Sequence, residues 1–269
     1  MIKDKMTIAE LPALLAQNPL LQACAGLSHG SLFSGIGGFE LGAELSGIDT
    51  IWNCEIDKWN RKLLKQNFPN TKQYDDITTM QQPEQVSIIS GGFPCQDISL
   101  AGKGKGIKGS RSGLWAEMFR VLGSVRPKYV IIENSSAITF RGLERVLCDL
   151  SEIGYYAEWQ SLSGYSFGVQ QGRERTYIIA YTKNIDAHRV CEYQTIFRKF
   201  NLQGKFGRIS PGWRTRREIP EPRTFRTVDD IPYWVERTKG IGNAVMPIVA
   251  WYLFYCIKCH YEQIGRHCL

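Results

Sequence analysis

Short apolar runs recur along the chain, at Gly30 to Phe33, Thr50 to Glu55, Val86 to Ser90, Tyr129 to Glu133, Ala157 to Ser161 and Thr176 to Tyr181, with helix-like stretches between them. Alternation of this kind predicts a doubly wound α/β sheet, because each strand must bury its faces against helices. Open sheets of that class receive ligands in the crevice beyond the carboxyl ends of their strands. The residues that close the runs are therefore where chemistry is expected. Gly91-Gly92-Phe93-Pro94-Cys95-Gln96-Asp97 follows the Val86 run and sets a thiol, Cys95, at a strand mouth. A cysteine alone is more often a small core residue than a nucleophile, so its company decides.

That company begins with Ser31-Leu32-Phe33-Ser34-Gly35-Ile36-Gly37-Gly38-Phe39-Glu40, a Gly-rich turn ahead of a helix-like stretch, where glycine lets backbone approach a ligand closely. Seventeen residues after Gly38 stands Glu55, about the spacing at which an acid takes ribose hydroxyls in a nucleoside-binding βαβ unit. A nicotinamide dinucleotide site, or a plain strand-to-helix connection, would look the same. Glu133-Asn134-Ser135 closes the Tyr129 run; a helix N-terminus would also favour an acid there. Gln171-Gly172-Arg173-Glu174-Arg175 precedes the Thr176 run, which puts two arginines on one face of an extended segment. Gly240-Ile241-Gly242-Asn243-Ala244-Val245 leads into an apolar helix from about Met246 to Ile257.

In this order the pieces resemble the cytosine-specific DNA methyltransferases that modify carbon 5 of the base, over most of the chain. The resemblance implies a Rossmann-like methyltransferase fold and S-adenosyl-L-methionine as cofactor. It implies cofactor contacts from Phe33, Gly35, Gly37, Gly38, Glu55, Ile56, Asp76, Ile77, Pro94, Leu114, Asn243 and Ala244. Cys95, Glu133, Arg173 and Arg175 would be catalytic, with Gln96, Ser99 and Arg111 on the substrate side. Carbon 5 of cytosine is too weak a nucleophile to take a sulfonium methyl directly, so a thiolate adduct at carbon 6 activates the ring. Cys95 would form it, in an electropositive setting that brings a thiol down from its ordinary pKa near 8.5. Glu133 would hold or protonate ring nitrogen 3. The target atom lies inside the duplex, so the base must be flipped out.

Charge supports an acidic partner. The 269 residues are 43% hydrophobic, carry a formal charge of +7 and have a pI near 9.0, which suits double-stranded DNA. Lys103, Lys105, Lys108 and Arg111 follow Cys95 among glycines, as a mobile basic lid would require. Between Arg198 and Arg226, Arg214, Arg216, Arg217 and further cations are interleaved with Phe200, Phe206, Trp213 and Phe225. This stretch reads as the target recognition region. The domain reading is an N-terminal helical extension over residues 1–28, a catalytic domain from 29–183 and 228–269, and a small recognition lobe at 184–227.

The chain also departs from the family. The recognition span is short, which suggests a compact phage-like or orphan enzyme reading few bases. Asp229 to Arg237 stands where an Arg-Leu-x-Gly-Phe-Pro pattern is usual; Ile56 replaces an aromatic, Gln170 a proline and Ser135 a valine. Thr7 to Gln22 reads as a short amphipathic helix with a Thr7-x-x-Glu10 capping pattern. Asp4, Glu10 and Pro12 argue against a signal peptide, no run approaches the ~20 apolar residues of a membrane span, and the cytoplasm is the expected location. The eight cysteines follow no disulfide framework. Cys256-Ile257-Lys258-Cys259-His260, with His267 and Cys268, has the letters of a zinc site, but two cysteines near the end of a helix is the reading taken, and no metal is expected. Other readings of the whole chain are a tRNA cytosine methyltransferase, a non-catalytic DNA-binding relative and, more distantly, a nicotinamide oxidoreductase. A cognate restriction endonuclease is a candidate partner.

Overall fold

A computed structural model of the chain describes residues 26–94, 113–167, 172–183, 196–197 and 244–267. These form a seven-stranded sheet of order β3-β2-β1-β4-β5-β7-β6. The strands are β1 (Ser28–Leu32), β2 (Asp49–Cys54), β3 (Lys72–Tyr74), β4 (Ile88–Gly91), β5 (Tyr129–Ser135), β6 (Tyr155–Ser163) and β7 (Glu174–Thr182). From β3 through β5 neighbours run parallel. β7 is antiparallel to both β5 and β6. The chain winds outward from β1 to β3, then returns to lay β4 on the other side of β1. That reversal opens a crevice at the carboxyl ends of β1 and β4.

Helices α1 (Gly38–Leu45), α2 (Lys58–Asn67), α3 (Leu114–Val125), α4 (Ile138–Arg141), α5 (Leu143–Glu152) and α6 (Pro247–His267), with a 3-10 turn at Gly164–Phe167, complete the described elements. β5 is apolar over residues 129–132 and β7 over 177–180 because both their faces are covered. On β5, Tyr129 and Ile131 join a core with Phe39, Ala43 and the Val249–Phe254 stretch, from α1 and α6. Val130 and Ile132 point the other way, into a core with Trp115, Met118, Val146 and Leu150 from α3 and α5. A hydrogen-bonded row ties three strands within the sheet: His29 lies 2.9 Å from the Thr50 hydroxyl and 2.8 Å from that of Ser90.

Several expectations shift. β3 joins the strands read from sequence as an additional edge strand. Glu133 lies within β5 and not at a helix N-cap. The last helix runs to His267, well past Ile257, so Cys256 and Cys259 sit in its body. Cys256 is buried, and His260 Nδ1 lies 2.9 Å from the Tyr129 hydroxyl. Among the described residues no three His, Cys, Asp or Glu side chains gather closely enough to share a metal ion, and no helix is long and apolar enough to cross a membrane. The N-terminal helix expected at Thr7 to Gln22 lies outside the described residues, as does most of the 184–227 span. Ile196 and Phe197 from that span are buried in the α1/α6 core.

Candidate active site

The turn after β1 is built from unusual backbone. Phe33, Gly35 and Gly37 all have positive φ, at 54°, 57° and 96°. Gly37 serves as the N-cap of α1. Gly38 has a separate reason to be glycine: a Cβ there would lie 2.3 Å from the Val245 carbonyl oxygen. The segment 244–246 thus passes directly over the start of α1. Gly38→Ala is expected to force the two apart and destabilise the protein by about 1–3 kcal/mol, as overpacking does. Urea unfolding of the variant measures this, and a loss below about 0.5 kcal/mol would mean that the segment yields freely.

Glu55, at the end of β2, is buried and tied to that turn. Its Oε2 accepts from the Gly35 N–H at 2.7 Å and its Oε1 from the Asp57 N–H at 2.8 Å. Asp57 in turn caps α2 by accepting from the Trp59 and Asn60 N–H groups. Arg61 donates to the carbonyls of Glu55 and Ile56 at 3.1 and 2.9 Å, which fixes the backbone between acid and helix. Ile56 is 71% exposed. Asp76 accepts from the Thr78 N–H, while Ile77 beside it is buried. Fixed backbone, an acid with lone pairs to spare and an exposed apolar side chain along the β1 and β2 ends fit the sugar and base of a nucleoside.

The second half of the site lies at the ends of β4, β5 and β7. Antiparallel pairing sets Glu133 opposite Tyr177 and Ser135 opposite Arg175, so Arg175 is a diagonal neighbour of Glu133 on one face. The Arg175 Nε lies 3.0 Å from Glu133 Oε1. Glu133 is only 9% exposed. Burial raises its pKa above the usual carboxylate value, opposed by the charges of Arg175 and Arg173. Arg173 donates to the Ala244 carbonyl at 3.1 Å, and its own pKa is lowered, by burial first and by Arg175 second. Its Nε is buried without a hydrogen-bond partner among the described residues.

The approach to Cys95 packs against this pair. A Cβ on Gly92 would stand 2.7 Å from Glu133 Oε2, so only glycine leaves the carboxylate its place. Asn134 donates from its side chain to the Phe93 carbonyl at 2.9 Å. Pro94 is exposed at the end of the described stretch, and Leu114 opens α3 behind the Gly113 N-cap. Cys95, Gln96, Ser99, Arg111, Arg214, Arg216, Arg217 and Asn243 lie outside the described residues. Sequence reasoning gives no role to Arg61 or Glu40, and takes Gly92 and Asn134 only as members of the Cys95 and Glu133 blocks. For Asn134, the available signal is its position between an acid and a strand end.

The family model for C-5 cytosine-specific DNA methylases matches residues 27–211. The chain belongs to that family. Among curated relatives it is 37% identical over 158 residues to the type II methyltransferase M2.BsuMI of Bacillus subtilis (strain 168), covering 56% of this chain and 41% of that protein. It is 36% identical over 161 residues to M.NgoBI of Neisseria gonorrhoeae, covering 57% of this chain and 50% of the relative. With M.HhaI of Haemophilus parahaemolyticus the figures are 33% over 168 residues, 60% and 51%. The match thus spans about half, or less, of the length of these relatives. Among solved structures, a prophage-encoded E. coli protein assigned as a DNA modification methyltransferase superposes with a TM-score of 0.51 at 24% identity, over 60% of this chain and 48% of the other. The Dnmt2 methyltransferase of S. pombe gives 0.50 at 21%, over 62% and 57%. These structural likenesses speak for the fold.

Proposed function

We propose that the protein transfers a methyl group from S-adenosyl-L-methionine to carbon 5 of a flipped-out cytosine in duplex DNA, through a covalent Cys95 adduct. The observation that carries the reading is the contact between Gly92, on the path to Cys95, and the buried Glu133 carboxylate clamped by Arg175. A thiol three residues beyond Gly92 and an acid of raised pKa can then work on one pyrimidine. The cofactor supplies the methyl group. Glu55, Ile56, Asp76 and Ile77 would hold its adenosyl end, and Phe33, Gly35, Gly37, Gly38, Pro94, Leu114, Asn243 and Ala244 the rest.

Cys95 adds to carbon 6 of the cytosine as its thiolate, and Glu133 delivers or shares a proton at ring nitrogen 3, so negative charge does not build up on the ring. Arg175 orients Glu133, and Arg173 braces the 244–246 segment while adding positive potential that favours the thiolate. Carbon 5 would take the methyl group as the donor's S–CH3 bond breaks to leave a thioether; the carbon-5 proton then passes to solvent water, the nitrogen-3 proton returns to Glu133, and the 5,6 double bond re-forms as the thiolate leaves. Gln96, Ser99, Arg111 and the recognition span around Arg214, Arg216 and Arg217 hold the DNA. The type II relatives favour a modification role in the cytoplasm, as a phage-type orphan or beside a cognate restriction endonuclease.

Expression in a host without cytosine methylation, followed by bisulfite sequencing, tests the reading. The expected result is 5-methylcytosine confined to one short sequence context. Unmethylated DNA from cells containing folded, cofactor-binding protein would overturn it and turn attention to tRNA as the acceptor.

A further inference from the structure

Glu40, in the first turn of α1, is fully buried at 0% exposure. Neither carboxylate oxygen makes a hydrogen bond of good geometry among the described residues, although the Ser34 and Ser31 hydroxyls stand near enough to act on it. A buried carboxylate without compensation is costly, and such groups are rare enough in folded proteins to demand a reason. Burial lifts its pKa to about 7; the Ser34 and Ser31 hydroxyls pull the other way, and the Glu55 charge adds to the rise. Those two hydroxyls bond to each other at 2.9 Å, and Ser34 belongs to the turn that precedes α1.

Among the described residues no cation is bonded to it. From β1, His29 is kept neutral, its pKa pushed down to about 3 by burial. From α6, Lys258 donates to the Ser46 carbonyl at the far end of α1 at 3.0 Å. From the end of β2 comes Glu55, a second negative charge. The site as built therefore holds unbalanced negative potential under the Phe33–Gly38 turn.

We propose that Glu40 is the counter-charge for a cationic cofactor seated on that turn, acting through the Ser34 and Ser31 hydroxyls and favouring the sulfonium donor over its thioether product. The inference rests on the function proposed above. S-adenosyl-L-methionine bears an ammonium, a sulfonium and a carboxylate, one net positive charge, whereas S-adenosyl-L-homocysteine has lost the sulfonium charge and is neutral overall. In a low-dielectric interior a carboxylate distinguishes them without touching either. Binding the cation drives Glu40 to ionise and release its proton; the product does not. Glu40 is thus a positioning residue that counters product inhibition.

Calorimetric titration of the full chain with each ligand near pH 7, in two buffers of different ionisation enthalpy, tests this. In Glu40→Gln the affinity for S-adenosyl-L-methionine is expected to fall about tenfold or more. Affinity for S-adenosyl-L-homocysteine stays within about twofold, and the proton release on donor binding disappears. The ligand-free variant should melt no lower than the parent, since glutamine removes a buried charge. Equal weakening of both ligands with a lowered melting temperature would mean a purely structural Glu40 and overturn the inference, as would an unchanged affinity ratio. If the glutamine variant does not fold, Ser34→Ala, which keeps the carboxylate, must shift the ratio in the same direction by about threefold; no shift there also overturns it. A parent chain that binds neither ligand would instead refute the proposed function.

Discussion

Serine in place of Cys95 is expected to reduce methyl transfer by on the order of 10³-fold or more while cofactor affinity stays within about twofold. The argument is one of acidity. A thiol with an ordinary pKa near 8.5 needs only a modest push to become the thiolate, and Arg173 and Arg175 beside Glu133 provide a positive field at the strand ends. A serine hydroxyl is far less acidic and attacks only when a general base takes its proton. DNA carrying 5-fluorocytosine gives a second readout, because fluorine at carbon 5 cannot leave as a proton does and the adduct persists. The parent should form a complex with such DNA that survives denaturing electrophoresis, and the serine variant should not. Full methyl transfer by the variant would eliminate Cys95 as the nucleophile.

Glu133→Gln should cost about 10² to 10⁴ in the transfer rate, the usual worth of a positioned general acid. Its pH dependence carries the sharper information. Burial holds the Glu133 pKa above the solvated carboxylate value, against the pull of Arg175 and Arg173. The acid form consequently survives to higher pH than on a surface, and single-turnover rates should fall as pH rises through the folded-state pKa. The sign for stability is the same: a carboxylate whose folded pKa is raised stabilises most when protonated, and its contribution declines as pH rises from the unfolded to the folded value. In the glutamine variant both slopes should vanish. Rates that keep the parent's pH profile would assign the titration to another group.

Much of this arrangement was legible in the sequence because the residues that form it are locally marked. Val86 to Ser90 and Tyr129 to Glu133 are apolar and closed by chemistry-bearing residues, so their strands and the edge they share could be read directly. β3 could not: Lys72, Gln73 and Tyr74 are polar, and the strand exists because its backbone pairs with β2. The sequence marks the last helix only to about Ile257, because Lys258 and His260 look like surface residues. Each is buried against a specific partner, the Ser46 carbonyl and the Tyr129 hydroxyl, and such partners lie far away in sequence. The same distance hid the bond from Arg173 to the Ala244 carbonyl. Glu40 was masked by its type, since an acid in the first turn of a helix ordinarily faces water and answers the dipole.

The passage of residues 244–246 over Gly38, anchored by Arg173 and continued by α6 across α1, has a consequence for how activity is acquired during synthesis. Every strand of the sheet leaves the ribosome before the piece that roofs the cofactor turn, and domains tend to fold as units only when their sequence is complete. A nascent chain halted after β7 carries its acid and its arginines with an open roof and an uncovered α1. The roof over the cofactor turn is in place only once α6 docks on α1. A protein nicked between residues 183 and 244 would hold its two pieces together through the apolar face that α6 shares with α1 and through the bonds from Arg173 to Ala244, Lys258 to Ser46 and His260 to Tyr129.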